Sequence, residues 1–201
     1  MRIVLASSSP RRKELMKFFK LTYEIIFKET DEVLSPNLNY YDACVNIAKN
    51  KAQVVFNDLD GDVLVIGSDT MVLCNNKVYG KPKNLNEAYQ MIKSISGGTH
   101  EVVSSLSVLI RKDNIVYEEL AYDKAVVYVS NLSDDEIYDW INNNDVLTRA
   151  GAYAIQDGFC KYIEKIDGDY FSLVGLPVHK LYTILKKYNI LWDVNYNKIN
   201  I

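Results

Sequence analysis

The 201-residue chain contains little cysteine and little histidine. Cys44, Cys74 and Cys160 are far apart and form no CxxC pair, so neither a disulfide framework nor a zinc knuckle is predicted. Two histidines, His100 and His179, are too few for a dedicated zinc or iron centre. A hard ion held by carboxylates, such as magnesium, stays open.

The chain also lacks an excess of charge of either sign and lacks long apolar runs. With 23 Lys+Arg against 26 Asp+Glu the net charge is -3, which predicts no general attraction to nucleic acid polymers or anionic membranes. The run from Val63 to Ile66 is far too short to cross a bilayer, and the N-terminus does not resemble a signal peptide. We therefore expect a cytoplasmic protein whose basic sites are local.

Three common active-site motifs are absent. The sequence contains no GxxxxGK[ST] phosphate loop, no GxGxxG after the first strand and no GxSxG elbow. These absences exclude a standard P-loop kinase, a Rossmann dehydrogenase and an α/β-hydrolase. The two histidines and the many tyrosines are interpreted as structural, because no motif-level partner accompanies them.

Strand and helix patterns alternate along the whole chain without a linker or a repeat, which predicts one α/β unit. Short apolar runs over 3–6 and 63–66 are typical of strands buried on both faces, and Gly67 to Thr70 is expected to end the second one. The turn at Asp113-Asn114 is expected to form a hairpin. Helices are predicted from Pro10, over 42–56, 86–95 and 134–141, and from Pro177; further strands are predicted over 22–27, 102–110, 117–129 and 162–166.

The segment from Ser7 to Lys13 joins a buried strand to a helix start and carries three cations in the first turn. Helix N-termini favour acidic residues, so this placement needs another explanation than helix stability. Hydroxyls, arginines and free backbone N–H groups together suit a polyanion such as a phosphate chain. A solvated basic turn is the alternative interpretation.

A carboxylate follows the second buried strand at Asp69, and ligands of open α/β sheets gather outside the carboxyl ends of strands. Asp69 is therefore a candidate for binding a metal or activating water, with Asp31-Glu32 as further acids that could share a magnesium ion. A turn aspartate and an exposed loop pair are the alternatives.

Two lysines strengthen the phosphate interpretation. Lys51 falls inside an apolar helical stripe, and Lys81 follows Gly80 in a turn. An unpaired buried ammonium is costly, so Lys51 needs either a partner or a path to solvent. Gln156, in the segment 151–158, offers the donors and acceptor that suit a nucleobase edge, although a turn amide would look the same.

Taken in order, seven short segments resemble the Maf family of nucleotide pyrophosphatases. Each motif is weak alone, but the collinear series spans essentially the whole chain. The resemblance implies that residues 1–201 form a single domain. The segments are Leu5 to Leu15, Ala48 to Ala52, Gly67 to Thr70, Gly80 to Pro82, Ser96 to His100, Ala150 to Gln156 and Val174 to Pro177.

The resemblance implies an elongated α/β fold like that of inosine triphosphate pyrophosphatases, with a twisted mixed sheet flanked by helices and a central cleft. It also implies a homodimer and hydrolysis of a nucleoside triphosphate to its monophosphate and pyrophosphate. Arg11 and Gln156 match the dTTP/UTP branch of the family rather than the 7-methyl-GTP branch, and Thr70 matches a specificity position. Arg149, Asp157 and the pair Val103-Ser104 depart from the family pattern.

On this basis Asp69 is expected to be the general base for a water that attacks the α-phosphorus. A divalent metal, magnesium or manganese, is expected on Glu32 and Asp69. A non-catalytic nucleotide sensor that regulates cell division, and a pyrophosphatase for modified nucleotides, are the alternatives. The remaining candidates are assigned to phosphate binding: Ser7, Ser9, Arg11, Arg12, Lys51 and Lys81.

Overall fold

A computed structural model describes residues 1–32, 34 and 37–191. The end of the predicted domain, residues 192–201, lies outside the described part. Within that part, no helix combines the length and the apolar character needed to cross a membrane.

The described chain forms one seven-stranded sheet with helices packed on it. The strand order is β2-β1-β3-β5-β6-β7, and β4 pairs with β3 beside this series. The strands are β1 (Arg2–Leu5), β2 (Glu24–Ile25), β3 (Val63–Cys74), β4 (Lys77–Tyr79), β5 (Thr99–Lys112), β6 (Ile115–Val129) and β7 (Ile163–Gly168). The α-helices are α1 (Pro10–Met16), α2 (Tyr40–Phe56), α3 (Leu85–Ile95), α4 (Asp134–Asn143), α5 (Tyr170–Val174) and α6 (Val178–Lys187).

The sheet is mixed, because β1 runs parallel to both β2 and β3 while the other pairs are antiparallel. The β1 pairing with β3 ends at Leu5 and Ile66, and β4 joins the same edge of β3 only from Val72. Residues 67–71 of β3 therefore pair with β5 on one side, and no strand of the described part of the chain pairs with them on the other. The candidate functional site lies at this opening in the sheet.

Both faces of β3 are covered, which explains its continuous apolar run. Val63 and Val65 pack with α2 through Ala52 and its neighbours, whereas Leu64 and Ile66 belong to the cluster beneath α1 and α6. A further core cluster joins α3, α4 and the end of β6.

The predicted α/β class with a single mixed sheet is confirmed. Asp113 and Asn114 form the expected turn between β5 and β6, both with positive φ, and Ser133 caps α4 through a capping box with Glu136. Ser9 occupies the N-cap position of α1, but its side chain makes no capping hydrogen bond.

Three local predictions are wrong. Strand β3 does not end at Gly67 but continues to Cys74, so Asp69 lies within the strand and opposite Ser105. The strand predicted over 22–27 is only Glu24–Ile25, because β1 offers a short pairing edge. The spacing of Leu15, Phe18 and Phe19 predicts an apolar buried face on the first helix, but Phe18 is 63% exposed because the chain has already changed to a 3-10 helix there.

Candidate active site

A cleft of about 980 Å³ lies where β3 extends beyond β1. The loop between β1 and α1 forms one wall, and residues of the segment 145–155 form another. Nearly all the residues singled out in the sequence meet here although they are distant in the chain. The polar lining comprises Ser7, Ser8, Ser9, Arg11, Arg12, Glu32, Lys51, Asp69, Thr70, Tyr79, Lys81, Asp145, Thr148, Arg149 and Tyr153.

An ammonium group bridges two carboxylates on the cleft wall. Lys51 Nζ donates to Asp69 Oδ1 at 2.6 Å and contacts Glu32 Oε1 at 2.7 Å. The side chains of Lys51 and Asp69 are each 11% exposed, whereas that of Glu32 is 61% exposed. Lys51 therefore does not reach out to solvent: its burial is balanced by two negative partners.

A glycine allows this contact. Lys51 projects from α2 and Asp69 from β3, and Gly67 lies where the helix crosses the strand. A Cβ atom at Gly67 would lie 2.3 Å from the carbonyl oxygen of Ala48 and 2.9 Å from Cβ of Ala52. The absent side chain lets α2 approach β3 closely enough for the lysine to meet the aspartate.

The carboxylates of Glu32 and Asp69 contact the same nitrogen atom, so they already share one cation, the ammonium of Lys51. No group of three or more acidic, histidine or cysteine side chains suited to a metal occurs among residues 1–32, 34 and 37–191. Magnesium commonly uses one or two protein carboxylates together with substrate phosphates and water. The donor set therefore fits a metal that arrives with a nucleotide. Asp31 is exposed and does not line the cleft.

Arg12 connects three parts of the cleft wall. Its Nε donates to the carbonyl oxygen of Gly175 at 2.8 Å, and its terminal nitrogens donate to Ser7 Oγ at 3.3 Å and Thr70 Oγ1 at 3.1 Å. A guanidinium has five N–H donors, so two of them make no hydrogen bond to the described residues and can serve a ligand. Arg12 thus holds the turn between α5 and α6 against β3.

Arg11 and Lys81 are placed differently from Arg12. Both line the cleft; Arg11 is half-buried and Lys81 is exposed. Burial, and next the positive charge of Arg149, lower the pKa of Arg11. Neither residue forms a salt bridge with another residue in the described ranges. Within the described residues, no carboxylate that lines the cavity lies within salt-bridge distance of either cation, so both can serve an added anion.

Ser7 and Thr70 are tied into the wall by hydrogen bonds. Ser7 Oγ accepts from the backbone N–H of Ser9 at 3.2 Å as well as from Arg12. Thr70 Oγ1 shares a hydrogen bond of 2.8 Å with Ser104 Oγ. These two hydroxyls therefore shape the cleft, while Ser9 is half-buried at its rim.

The structure does not bring Gln156 into the cleft. It is exposed on a 3-10 helix, Ile155–Asp157, whereas the preceding Ile155 lines the cavity. The two departures from the family pattern on either side of it form an ion pair: a terminal nitrogen of Arg149 lies 2.7 Å from Asp157 Oδ2. Sequence reasoning did not place Arg149 in the site. A cation directly before the motif 150–156 was the signal.

Cys44 is buried next to Asp69, and its thiol is unreactive. Its thiol is 3.2 Å from Ser105 Oγ and 4.0 Å from Asp69 Oδ2. Burial first, and then the charge of Asp69, raise the pKa of Cys44 to about 12. A thiol that stays protonated is not a nucleophile, so Cys44 serves packing.

His100 is also buried, and its Nε2 shares a hydrogen bond of 2.6 Å with the hydroxyl of Tyr153, which lines the cleft. Burial lowers the pKa of His100 to about 4. A neutral imidazole that supports a cleft tyrosine agrees with the structural role expected from the sequence.

Two curated relatives named dTTP/UTP pyrophosphatase cover almost the whole chain. The protein of Lachnoclostridium phytofermentans is 37% identical over 189 residues, which are 94% of this chain and 95% of the relative. The protein of Caldicellulosiruptor bescii is 40% identical over 190 residues, which are 92% of this chain and 94% of the relative. A crystal structure titled nucleoside-triphosphatase / dITP/XTP pyrophosphatase, from Mycobacterium abscessus, matches 66% of this chain and 76% of its own, with 13% identity and a TM-score of 0.40.

The profile of Maf-like proteins matches residues 2–188. It thus includes the basic loop after β1, the lysine of α2 and the aspartate of β3. The family resemblance noted in the sequence is confirmed, and the chain belongs to the family of Maf-like proteins.

Proposed function

We propose that this protein is a nucleoside triphosphate pyrophosphatase that hydrolyses dTTP and UTP to the monophosphate and pyrophosphate. Family membership and the name shared by the two relatives support the reaction class and the substrates. The observation that carries the proposal is the juxtaposition of Asp69 with Lys51 inside a cleft that also contains Arg11 and Lys81. Hydrolysis of a triphosphate needs that combination, because a base activates the attacking water and several cations bind the phosphate chain.

The cations would hold the phosphate chain. Arg11 offers a planar fork suited to bidentate phosphate binding, and Lys81 offers a point charge at the rim. Arg12 would add its two remaining N–H donors while bracing the wall. Ser7 and Ser9 would contribute hydroxyl contacts at the start of α1.

Asp69 would act as the general base. Its Oδ1 is engaged by Lys51, whereas its Oδ2 has only a weak thiol contact, at 4.0 Å, among the described residues. In the proposed reaction the Asp69 carboxylate accepts a proton from a water molecule as the water oxygen bonds to the α-phosphorus. The bond from that phosphorus to the α,β-bridging oxygen breaks, and pyrophosphate leaves with the bonding electrons.

Glu32 and Asp69 are the residues that would hold a divalent metal, for which magnesium is the proposed ion. When bound, such an ion supplies positive charge to the phosphate oxygens at the reacting centre. Lys51 lies between the same two carboxylates and would stabilise them before the metal and the nucleotide enter.

Base selection is assigned to Arg11, Thr70 and Gln156. Thr70 and Arg11 line the cleft, and Gln156 adjoins it one residue after Ile155. A Gln156→Glu variant tests this assignment: it should weaken turnover of dTTP and UTP more than it changes the dependence on magnesium. An unchanged nucleotide profile would remove Gln156 from the specificity set.

The decisive experiment measures pyrophosphate and monophosphate release from dTTP, UTP, CTP, 7-methyl-GTP and ITP with magnesium. Wild type is compared with Asp69→Asn and with the control Asp134→Asn, which changes an exposed carboxylate outside the cleft. We expect release from dTTP and UTP to fall at least ~10²-fold in Asp69→Asn alone, the low end for loss of a general base.

Two other outcomes contradict the proposal. Tight nucleotide binding by a folded wild type without turnover, across several divalent metals, would identify a nucleotide sensor instead. Turnover of ITP or 7-methyl-GTP well above that of dTTP and UTP would assign the protein to other nucleotides.

A further inference from the structure

Arg149 is a cationic residue of the cleft that has no place in the mechanism above. It follows the 3-10 helix Val146–Thr148 and precedes the 3-10 helix Ala150–Ala152. Its side chain is 27% exposed and lines the same cavity as Asp69. It therefore borders the space in which the substrate of the proposed function would lie.

Its hydrogen bonding is incomplete within the described protein. One terminal nitrogen pairs with Asp157 Oδ2 at 2.7 Å, but the Nε atom is buried and has no hydrogen-bond partner in residues 1–32, 34 and 37–191. A buried donor without a protein partner is costly, and in native proteins a ligand, an ion or an ordered water commonly supplies the missing acceptor. An adjustment of the guanidinium toward a ligand in the cleft would relieve this situation.

The charge around Arg149 is also unbalanced. Arg11 lines the same cavity, and the positive charge of Arg149 is the second largest cause, after burial, of the lowered pKa of Arg11. Asp157 neutralises only one of the two guanidinium groups, and its charge acts on Arg11 more weakly than that of Arg149 does. Two arginines that share one carboxylate in a partly buried site favour an added anion.

We propose that Arg149 is a further phosphate-binding residue, which Asp157 holds in position and which contacts the triphosphate chain together with Arg11. This inference rests on the proposed function for the identity of the substrate. Arg149 would bind the phosphate chain and not the base, although it lies in the same segment as Gln156. The planar fork of Arg149 can donate to a phosphate from one side while a terminal nitrogen keeps its contact with Asp157.

The test uses inorganic tripolyphosphate, which has the chain but no base, as the probe in calorimetric binding. We expect Arg149→Ala to weaken its binding about tenfold or more, as for loss of one charged hydrogen bond. Arg149→Lys, which keeps the charge but loses the fork, should weaken it less, and it decides the question if the alanine variant does not fold. The control Lys165→Ala removes an exposed cation of β7 whose partner is Asp167. It should bind as the wild type does.

Turnover assays give a second readout. Arg149→Ala should raise the KM for dTTP by a similar factor and leave the ratio of dTTP to ITP turnover unchanged. The double variant Arg149→Ala/Asp157→Ala removes the ion pair without leaving a lone carboxylate. If Arg149 were only structural, the double variant would recover tripolyphosphate binding; if it binds phosphate, binding stays weak.

Unchanged tripolyphosphate binding in folded Arg149→Ala, or a shift in base preference, would overturn the inference. The calorimetric test does not depend on catalysis. If the wild type binds tripolyphosphate and Arg149→Ala does not, Arg149 is a phosphate ligand even in a protein without turnover. Failure of the proposed pyrophosphatase activity is thereby distinguished from failure of this assignment.

Discussion

Replacing Lys51 by methionine should destabilise the protein much more than replacing another lysine of the same helix. Methionine keeps most of the length of the side chain but removes the ammonium that neutralises Asp69. Removal of one partner from a buried ion pair typically costs about 3–5 kcal/mol, because the other charge stays buried and unpaired. Lys51 and Asp69 are each 11% exposed, so this range applies to their contact.

The expected magnitude lies at the lower end of that range. Glu32 is 61% exposed, and its contact with Lys51 is screened by solvent, so it contributes little. We therefore expect Lys51→Met to lower the free energy of unfolding by about 3 kcal/mol. For a domain of this size that corresponds to a fall in Tm of roughly 6–12 °C.

The assay is urea and thermal unfolding of wild type, Lys51→Met and the control Lys49→Met. Lys49 lies on α2 and pairs with Glu118 at 2.8 Å, but both side chains are more than a third exposed. The control should therefore change stability by no more than about 1 kcal/mol. Equal destabilisation of the two variants would refute the reasoning, because burial would then make no difference to the pair.

Magnesium gives the same experiment a second arm. In Lys51→Met the two carboxylates lose their shared ammonium, so they should bind the free ion better than in the wild type. Addition of magnesium should then raise the Tm of Lys51→Met more than that of the wild type, by mass action. An equal shift in both proteins would show that Lys51 and the ion do not use the same place.

Two further predictions concern the scaffold. Gly67→Ala should destabilise the protein by about 1–3 kcal/mol in urea unfolding, because its Cβ would lie 2.3 Å from the Ala48 carbonyl oxygen; Gly80→Ala, whose Cβ meets nothing within 4 Å, should be nearly neutral, and equal effects would contradict the close approach of α2. Burial lowers the pKa of His100 from 6.5 to about 4, so only the unfolded chain takes up this proton as the pH falls below about 6.5. Stability should drop by about 2 kcal/mol between pH 7 and pH 5, and His100→Gln should remove that part of the loss; an unchanged pH dependence in the variant would exclude His100 as its source.

Much of the fold can be predicted from the sequence because its signals are local. The stripe of Cys44, Ile47, Ala48, Ala52 and Val55 predicts the buried face of α2, and all five are buried. The hairpin turn and the capped start of α4 likewise depend on neighbouring residues. By contrast, the length of β3 depends on β5, which is distant in the chain and pairs along Asp69 and beyond. The residues Gly67 to Thr70 are local strand breakers and therefore predict that β3 ends there. Pairing with β5 instead continues the strand to Cys74.

The same division applies to the site. The sequence by itself determined the family, the basic loop after β1 and the candidates Asp69, Lys51 and Lys81, because each motif is a short run of residues with a recognisable pattern. Only the tertiary structure decided that Lys51 bridges Asp69 and Glu32, that Arg12 braces the turn before α6, that Arg149 pairs with Asp157, and that Gln156 lies outside the cleft. These contacts join residues whose distance is fixed by strand pairing and by the crossing of α2 over Gly67, and no local pattern encodes that distance.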